Sequence, residues 1–195
     1  MMPILAIFLS MLAAAAADPS KNFTKEVPVL DIHEMTKVVG PLITYKRTHH
    51  TDTTFQCLSA MKLEDCSQPS CKYMLRARNG TEIITPYVNE TVDITFSPFR
   101  NSRNHTAHYH SNYANLSVTL MLEMKDDENT CFVVWAINSD LQSGCELIVK
   151  SSALENISQD CLNYYETYCT AKSVELYKSN CNYTHTEEVP GYPHC

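Results

Sequence analysis

The sequence predicts a mainly β domain, an antiparallel barrel or sandwich, followed by one helix. Three observations carry this. From residue 42 to about 150 apolar and polar residues alternate, the mark of half-buried strands. After Leu154 the apolar spacing becomes helical. Nine cysteines follow an apolar leader, which points to an oxidising compartment where disulfides reinforce a small fold.

The elements follow in chain order. Ile4 to Ala17 is uncharged and mostly apolar, and ends in Ala15-Ala16-Ala17 before Asp18-Pro19. That is the layout of a secretory signal peptide with a small-residue cleavage site. The run is too short for a membrane span, which needs about 20 apolar residues. Residues 1–17 are therefore expected to be removed, leaving 18–195 as a single secreted domain. No later stretch is long and apolar enough to span a bilayer, so no membrane association is expected. Residues 18–28 read as a loose polar arm. Asp31-Ile32-His33-Glu34 is a variant capping box, and Val29, Ile32, Met35 and Val39 follow near-helical spacing up to Gly40-Pro41. A short N-terminal helix is expected there.

In the strand region, Val92, Ile94 and Phe96 alternate with Thr91, Asp93 and Thr95. Leu116, Val118, Leu120, Leu122 and Met124 do the same against Asn115, Ser117, Thr119, Met121 and Glu123. Cys131 to Ile137 is a denser apolar run and Glu146 to Lys150 a shorter one. Turns are expected at Asp126–Asn129 and from Asn138 to Gly144. Leu154, Ile157, Cys161, Tyr165 and Tyr168 then predict a helix over 158–171, with Ser158 as N-cap. The irregular tail contains Cys181 and Cys195.

Composition narrows function. A net charge of −7 with no basic run offers no footing for nucleic acid and suits a cationic ligand. Seven Asn-x-Ser/Thr sequons begin at Asn22, Asn79, Asn89, Asn104, Asn115, Asn156 and Asn182, which implies a glycan-coated surface. No G-x-S-x-G, P-loop or G-x-G-x-x-G motif occurs, and nothing in the spacing singles out a catalytic carboxylate pair, so an enzyme is not expected. No cofactor is implied. The cysteines at 57, 66, 71, 131, 145, 161, 169, 181 and 195 are too scattered for zinc, and their odd number leaves one thiol free or linked to another chain. His105, His108 and His110 form H-x2-H-x-H, with His49-His50 elsewhere. On a strand His108 and His110 share a face, as metal ligands must, but no second shell is evident. The reading is a polar strand end beside Asn104, with no metal.

The leader, short helix, strands, late helix and cysteine-bearing tail together resemble the tick salivary lipocalins, which include the histamine-binding proteins. The most specific stretch is Cys131-Phe132-Val133, then Glu146-Leu147-Ile148, then Cys161, with twelve residues in each gap. It is similar to the family's amine-binding signature of Cys-Asp-(Val/Ile/Leu), Glu-Leu-(Trp/Tyr) and Cys. Lys46 to Asp52, leading to Cys57, resembles the family's first strand and following loop. The resemblance implies an eight-stranded antiparallel lipocalin-type barrel, flanked by helices, that sequesters small host mediators. The implied ligand is a biogenic amine such as histamine or serotonin. A lipid mediator (eicosanoid) or a host plasma protein is the alternative, and a monomer is expected.

The resemblance also assigns residues. The family's inner amine site keeps Glu146 here, but Phe132 replaces its Asp, Ile148 its Trp or Tyr, and the helix carboxylate falls near Val39. The other site is matched by Asp52 and Glu90, with His49 where Tyr is usual and Thr53 or Thr54 in place of a Trp. An amine is thus expected to rest on Asp52 and Glu90 rather than on Glu146. Implied disulfides are Cys57–Cys181 and Cys131–Cys161. Cys145–Cys195 is expected as a third and Cys66–Cys71 as a fourth, leaving Cys169 unpaired.

Overall fold

The computed structural model describes residues 30–66, 69–80, 82, 85–99 and 104–184. The leader, the arm with Asn22, and Cys195 lie outside the described residues. Eight antiparallel strands form the wall: β1 (Leu42–Arg47), β2 (Phe55–Lys62), β3 (Ser70–Asn79), β4 (Tyr87–Pro98), β5 (His105–Ser111), β6 (Leu116–Lys125), β7 (Cys131–Asn138) and β8 (Ser143–Lys150). Each strand pairs with the next, and β1 pairs with both β8 and β2. This is a closed barrel, which removes the open sheet edges.

The closure is thin at one seam. β1 and β2 pair only through Leu42 and Ile43. A ninth strand, β9 (Val174–Glu175), pairs with Lys46 and Arg47 where β2 has diverged. Leu176 then bridges the gap, donating its N–H to the Tyr45 carbonyl and accepting from the Cys57 N–H, both at 2.9 Å. The Cys57–Cys181 disulfide fastens this segment.

Alternation explains most of the burial, and bulges explain the exceptions. On β4, Val88, Glu90, Ile94 and Phe96 line the interior while Asn89 is exposed. On β6, Leu116, Val118 and Leu120 face inward, but the register shifts between Leu122 and Met124. Met124 consequently packs on the outer cluster under the helix, not in the inward row that strict alternation assigns it. β7 is apolar on both faces because both are covered. Phe132 and Val134 join the inner core, and Cys131 and Val133 the outer one.

The N-terminal helix is a 3-10 helix, Ile32–Lys37, capped by the Asp31 side chain, which accepts from the His33 N–H. Its buried residues repeat every three positions (Ile32, Met35, then Val38), as a three-residue turn requires, and Val39 is exposed. The chain leaves the helix at Val38 (φ −72°, ψ 130°), and Gly40, at φ +98°, takes the left-handed conformation two residues before β1.

The late helix, α1, is Gln159–Tyr168, shorter at its C-terminal end than the expected 158–171. Ser158 is the N-cap by backbone but makes no capping bond with its side chain. Two disulfides clamp α1 to the barrel: Cys131–Cys161 near its start and Cys145–Cys169 at its end. The Cys145–Cys195 expectation is corrected. Cys145 faces outward on β8, and the helix C-cap residue Cys169 reaches it with a Cα–Cα distance of 5.8 Å. Cys66 bonds to Cys71. Among the described residues no helix is long and apolar enough to cross a membrane.

Candidate ligand-binding cavity

The inward side chains enclose a cavity of about 190 Å³. One end is apolar: Ile32 and Met35 of the 3-10 helix close it against Leu42, Ile94, Phe96 and Ile148. The other end carries the polar groups Arg47, His49, Glu90, Tyr109, Ser111 and Glu146. This is the arrangement of a small-molecule site, an apolar body with a few placed polar groups.

A bulge builds the polar end. The β1 register shifts between Thr44 and Lys46, so Arg47, not Lys46, lines the cavity beside Thr44 and Leu42. Lys46 instead lies over the Tyr165 ring outside. Arg47 is directly opposite Glu146 in the ladder with β8, so the two share a face. Past Arg47 the chain folds tightly over Gly144: the Thr48 N–H donates to the Cys145 carbonyl, and the Cys145 N–H to Thr48 Oγ1. This turn delivers His49 to Glu146, with Nε2 and Oε1 2.7 Å apart and both side chains largely buried.

Electrostatics sharpen the picture. Burial pulls the Arg47 pKa down from its ordinary value, although Glu146 and Tyr109 oppose the shift. Its Nη2 donates to Thr51 Oγ1 at 2.6 Å. Arg47 Nε and His49 Nδ1 are buried without a hydrogen-bond partner among the described residues. Burial alone would raise the Glu90 pKa. Hydrogen bonds from Ser111 (2.7 Å), the Asn112 N–H (2.6 Å) and Asn112 Nδ2 (2.9 Å) outweigh it and hold Glu90 below its ordinary value, hence ionised. Tyr109 is pushed up by burial and by Glu146 and Glu90, against the opposing Arg47, so its phenol keeps its proton. Arg76 also reaches the wall, but its guanidinium donates to Asn89 and covers the Tyr87 ring at 4.2 Å. With Arg47 and Arg76 both lining the cavity, Glu90 and Glu146 are balanced in formal charge, His49 aside, and of the two cations Arg47 is the one set opposite Glu146.

The structure brings together three of the four residues assigned from sequence. Glu90, Glu146 and His49 line the cavity. Asp52 does not. Its side chain is 96% exposed and meets His50 Nε2 at 3.5 Å on the outside. In the loop after β1, Thr51 and Thr53 turn inward and Asp52 between them turns out. The expected convergence of Asp52 with Glu90 is therefore absent. Glu90 is separated from the neighbouring sequon by alternation, since Asn89 points outward. Sequence reasoning missed Arg47, Tyr109 and Ser111. Tyr109 and Ser111 had a signal, because alternation along β5 sets them opposite His108 and His110. Arg47 had none, because the bulge that turns it inward leaves no local trace.

A closed eight-stranded barrel with an outer helix and an internal cavity defines a lipocalin-type ligand carrier. The chain belongs to the tick histamine-binding protein family, whose profile matches residues 35–183. Two solved structures share the fold. One is the AM182 serotonin complex: TM-score 0.57, 16% identity, covering 79% of this chain and 94% of that one. The other is japanin from Rhipicephalus appendiculatus bound to cholesterol: TM-score 0.53, 13% identity, covering 74% and 96%. No curated protein matches the sequence significantly.

Proposed function

We propose that this protein is a secreted salivary lipocalin that sequesters a host biogenic amine, histamine or serotonin, at the feeding site. The observation that carries this is the pair of inward carboxylates, Glu90 on β4 and Glu146 on β8, with Tyr109 in electrostatic reach of both. An ammonium taken from water needs nearby carboxylates and aromatic faces to replace its hydration. Glu90 is held ionised before any ligand arrives, and Tyr109 and the exposed Tyr113 also line the cavity. The amine therefore rests on Glu90, with Glu146 as the second carboxylate. Glu146 takes the part the sequence reading gave to Asp52. The protein acts as a monomer without catalytic activity, its leader removed on export.

One observation favours a second reading. The buried, unpartnered Arg47 Nε suits the carboxylate of a lipid mediator whose chain fills the apolar end. Calorimetry of histamine, serotonin and an eicosanoid on the glycosylated protein separates the two. The amine reading expects one amine per chain and no eicosanoid heat. Eicosanoid binding that drops at least tenfold in Arg47→Gln, with no amine binding, replaces it with the lipid reading.

A further inference from the structure

Strand alternation divides the three histidines of β5. His108 and His110 point outward, onto hydroxyls: His108 Nδ1 lies 2.9 Å from Thr119 Oγ1, its Nε2 2.6 Å from Ser97 Oγ, and His110 Nδ1 3.0 Å from Ser117 Oγ. His105 falls on the same side as Ala107 and Tyr109, at the end closed by the 3-10 helix. There its Nδ1 lies 3.2 Å from Asp31 Oδ2, and His33 Nδ1 lies 2.8 Å from Asp31 Oδ1. The ligand-capable atoms of all three residues lie within 4.8 Å of one another.

We propose that Asp31, His33 and His105 form a binding site for a divalent metal ion of the zinc class, which clasps the N-terminal helix to the barrel wall. Two imidazole nitrogens and a carboxylate oxygen are a donor set that zinc accepts, with a fourth position left for water. Bonds of ~2.0–2.1 Å in a tetrahedral site separate neighbouring ligand atoms by ~3.3 Å, so donor atoms that already lie within 4.8 Å of one another need only a modest contraction around the ion. Both histidines present the same ring nitrogen to one carboxylate, so the ion replaces the protons now shared there; its imidazole ligands must be neutral. The His33 ring is packed on Phe96 at 4.3 Å and meets His105 edge-on at 4.6 Å, so neither ring has to be gathered from solvent. The three side chains are only 25–33% exposed. Residues 31 and 105 are far apart in sequence, so one ion ties the helix that carries Ile32, Met35 and Thr36 of the cavity wall to β5. The metal thereby stiffens the closed end of the barrel without entering the polar end.

Zinc chloride titrated by calorimetry into the chelator-stripped, glycosylated full chain tests this. One equivalent is expected to bind. His105→Ala, His33→Asn and Asp31→Asn, which retains an N-capping side chain, each weaken it at least tenfold. His108→Ala leaves it unchanged. Equal zinc affinity in parent and the three site variants, or no binding by the parent, overturns the site. A second measurement is independent of variant folding. In the parent's ring ¹⁵N spectrum zinc must shift His33 and His105 and spare His108 and His110; the opposite pattern equally refutes the proposal.

Discussion

At the scale of single residues, the cavity depends on which side of the backbone a side chain takes, and two positions make the point. Asp52 and Glu90 both looked like amine ligands by resemblance. Alternation turns Glu90 inward beside an outward Asn89, whereas the loop turns Asp52 out between Thr51 and Thr53. Glu90→Gln keeps the shape and removes the charge. A lost charge-assisted contact costs about 1.5–3 kcal/mol, so amine affinity should fall roughly 10- to 100-fold by calorimetry. On the proposed function, the acid limb of amine binding follows from the same group. Hydrogen bonds depress the Glu90 pKa below 4.5, so their contribution is complete above that value and is lost as pH falls through the lower folded-state value. Titration should show Glu90-dependent binding intact at pH 5 and decaying only in more acidic solution. A loss already complete at pH 5 that Glu90→Gln abolishes contradicts this. Glu146 was legible as a residue but not as a direction. Its pairing with His49 arises from a turn ninety-seven residues earlier in the chain, which no local pattern encodes.

At the scale of elements, the strands and the late helix were legible because their periods differ, two against about 3.6. What alternation cannot reveal is a bulge. The shifts at Thr44/Lys46 and Leu122/Met124 each swap the faces of the residues beyond, which is why Arg47 enters the cavity and Met124 leaves it. The helix clamp was half legible. Cys161 was placed, but Cys169 was left over because a partner at the helix C-cap depends on where the helix stops. Non-reducing peptide mapping should recover a Cys145–Cys169 linkage; a Cys145–Cys195 peptide contradicts it. Loss of the Cys131–Cys161 bond in the double serine variant should cost about 2–5 kcal/mol in denaturant unfolding. The turn over Gly144 is more demanding than its length suggests. A Cβ there would stand 2.5 Å from Thr48 Oγ1 and 2.8 Å from the His49 backbone nitrogen. Gly144→Ala should therefore destabilise by about 1–3 kcal/mol, as overpacking does, and displace His49 from Glu146. An unchanged melting temperature refutes that account of the turn.

At the scale of the whole molecule, strand parity separates two faces: an interior that forms the cavity and an outer face, part of which α1 covers. Asn79, Asn89, Asn115, Asn156 and Asn182 are all exposed. Mass spectrometry of the secreted protein should find glycans on these five, and bare asparagine at all of them contradicts the glycan-coated, exported molecule. In the proposed function the ligand enters the polar end of the cavity, and Glu90, held ionised, is the contact for its ammonium. The measurement closest to that claim is serotonin titrated by calorimetry into parent, Glu90→Gln and Asp52→Asn. The cavity predicts one amine per parent chain, a 10- to 100-fold loss in Glu90→Gln and parent-like affinity in Asp52→Asn. Parent-like binding by Glu90→Gln, or loss in Asp52→Asn alone, would place the amine outside this cavity.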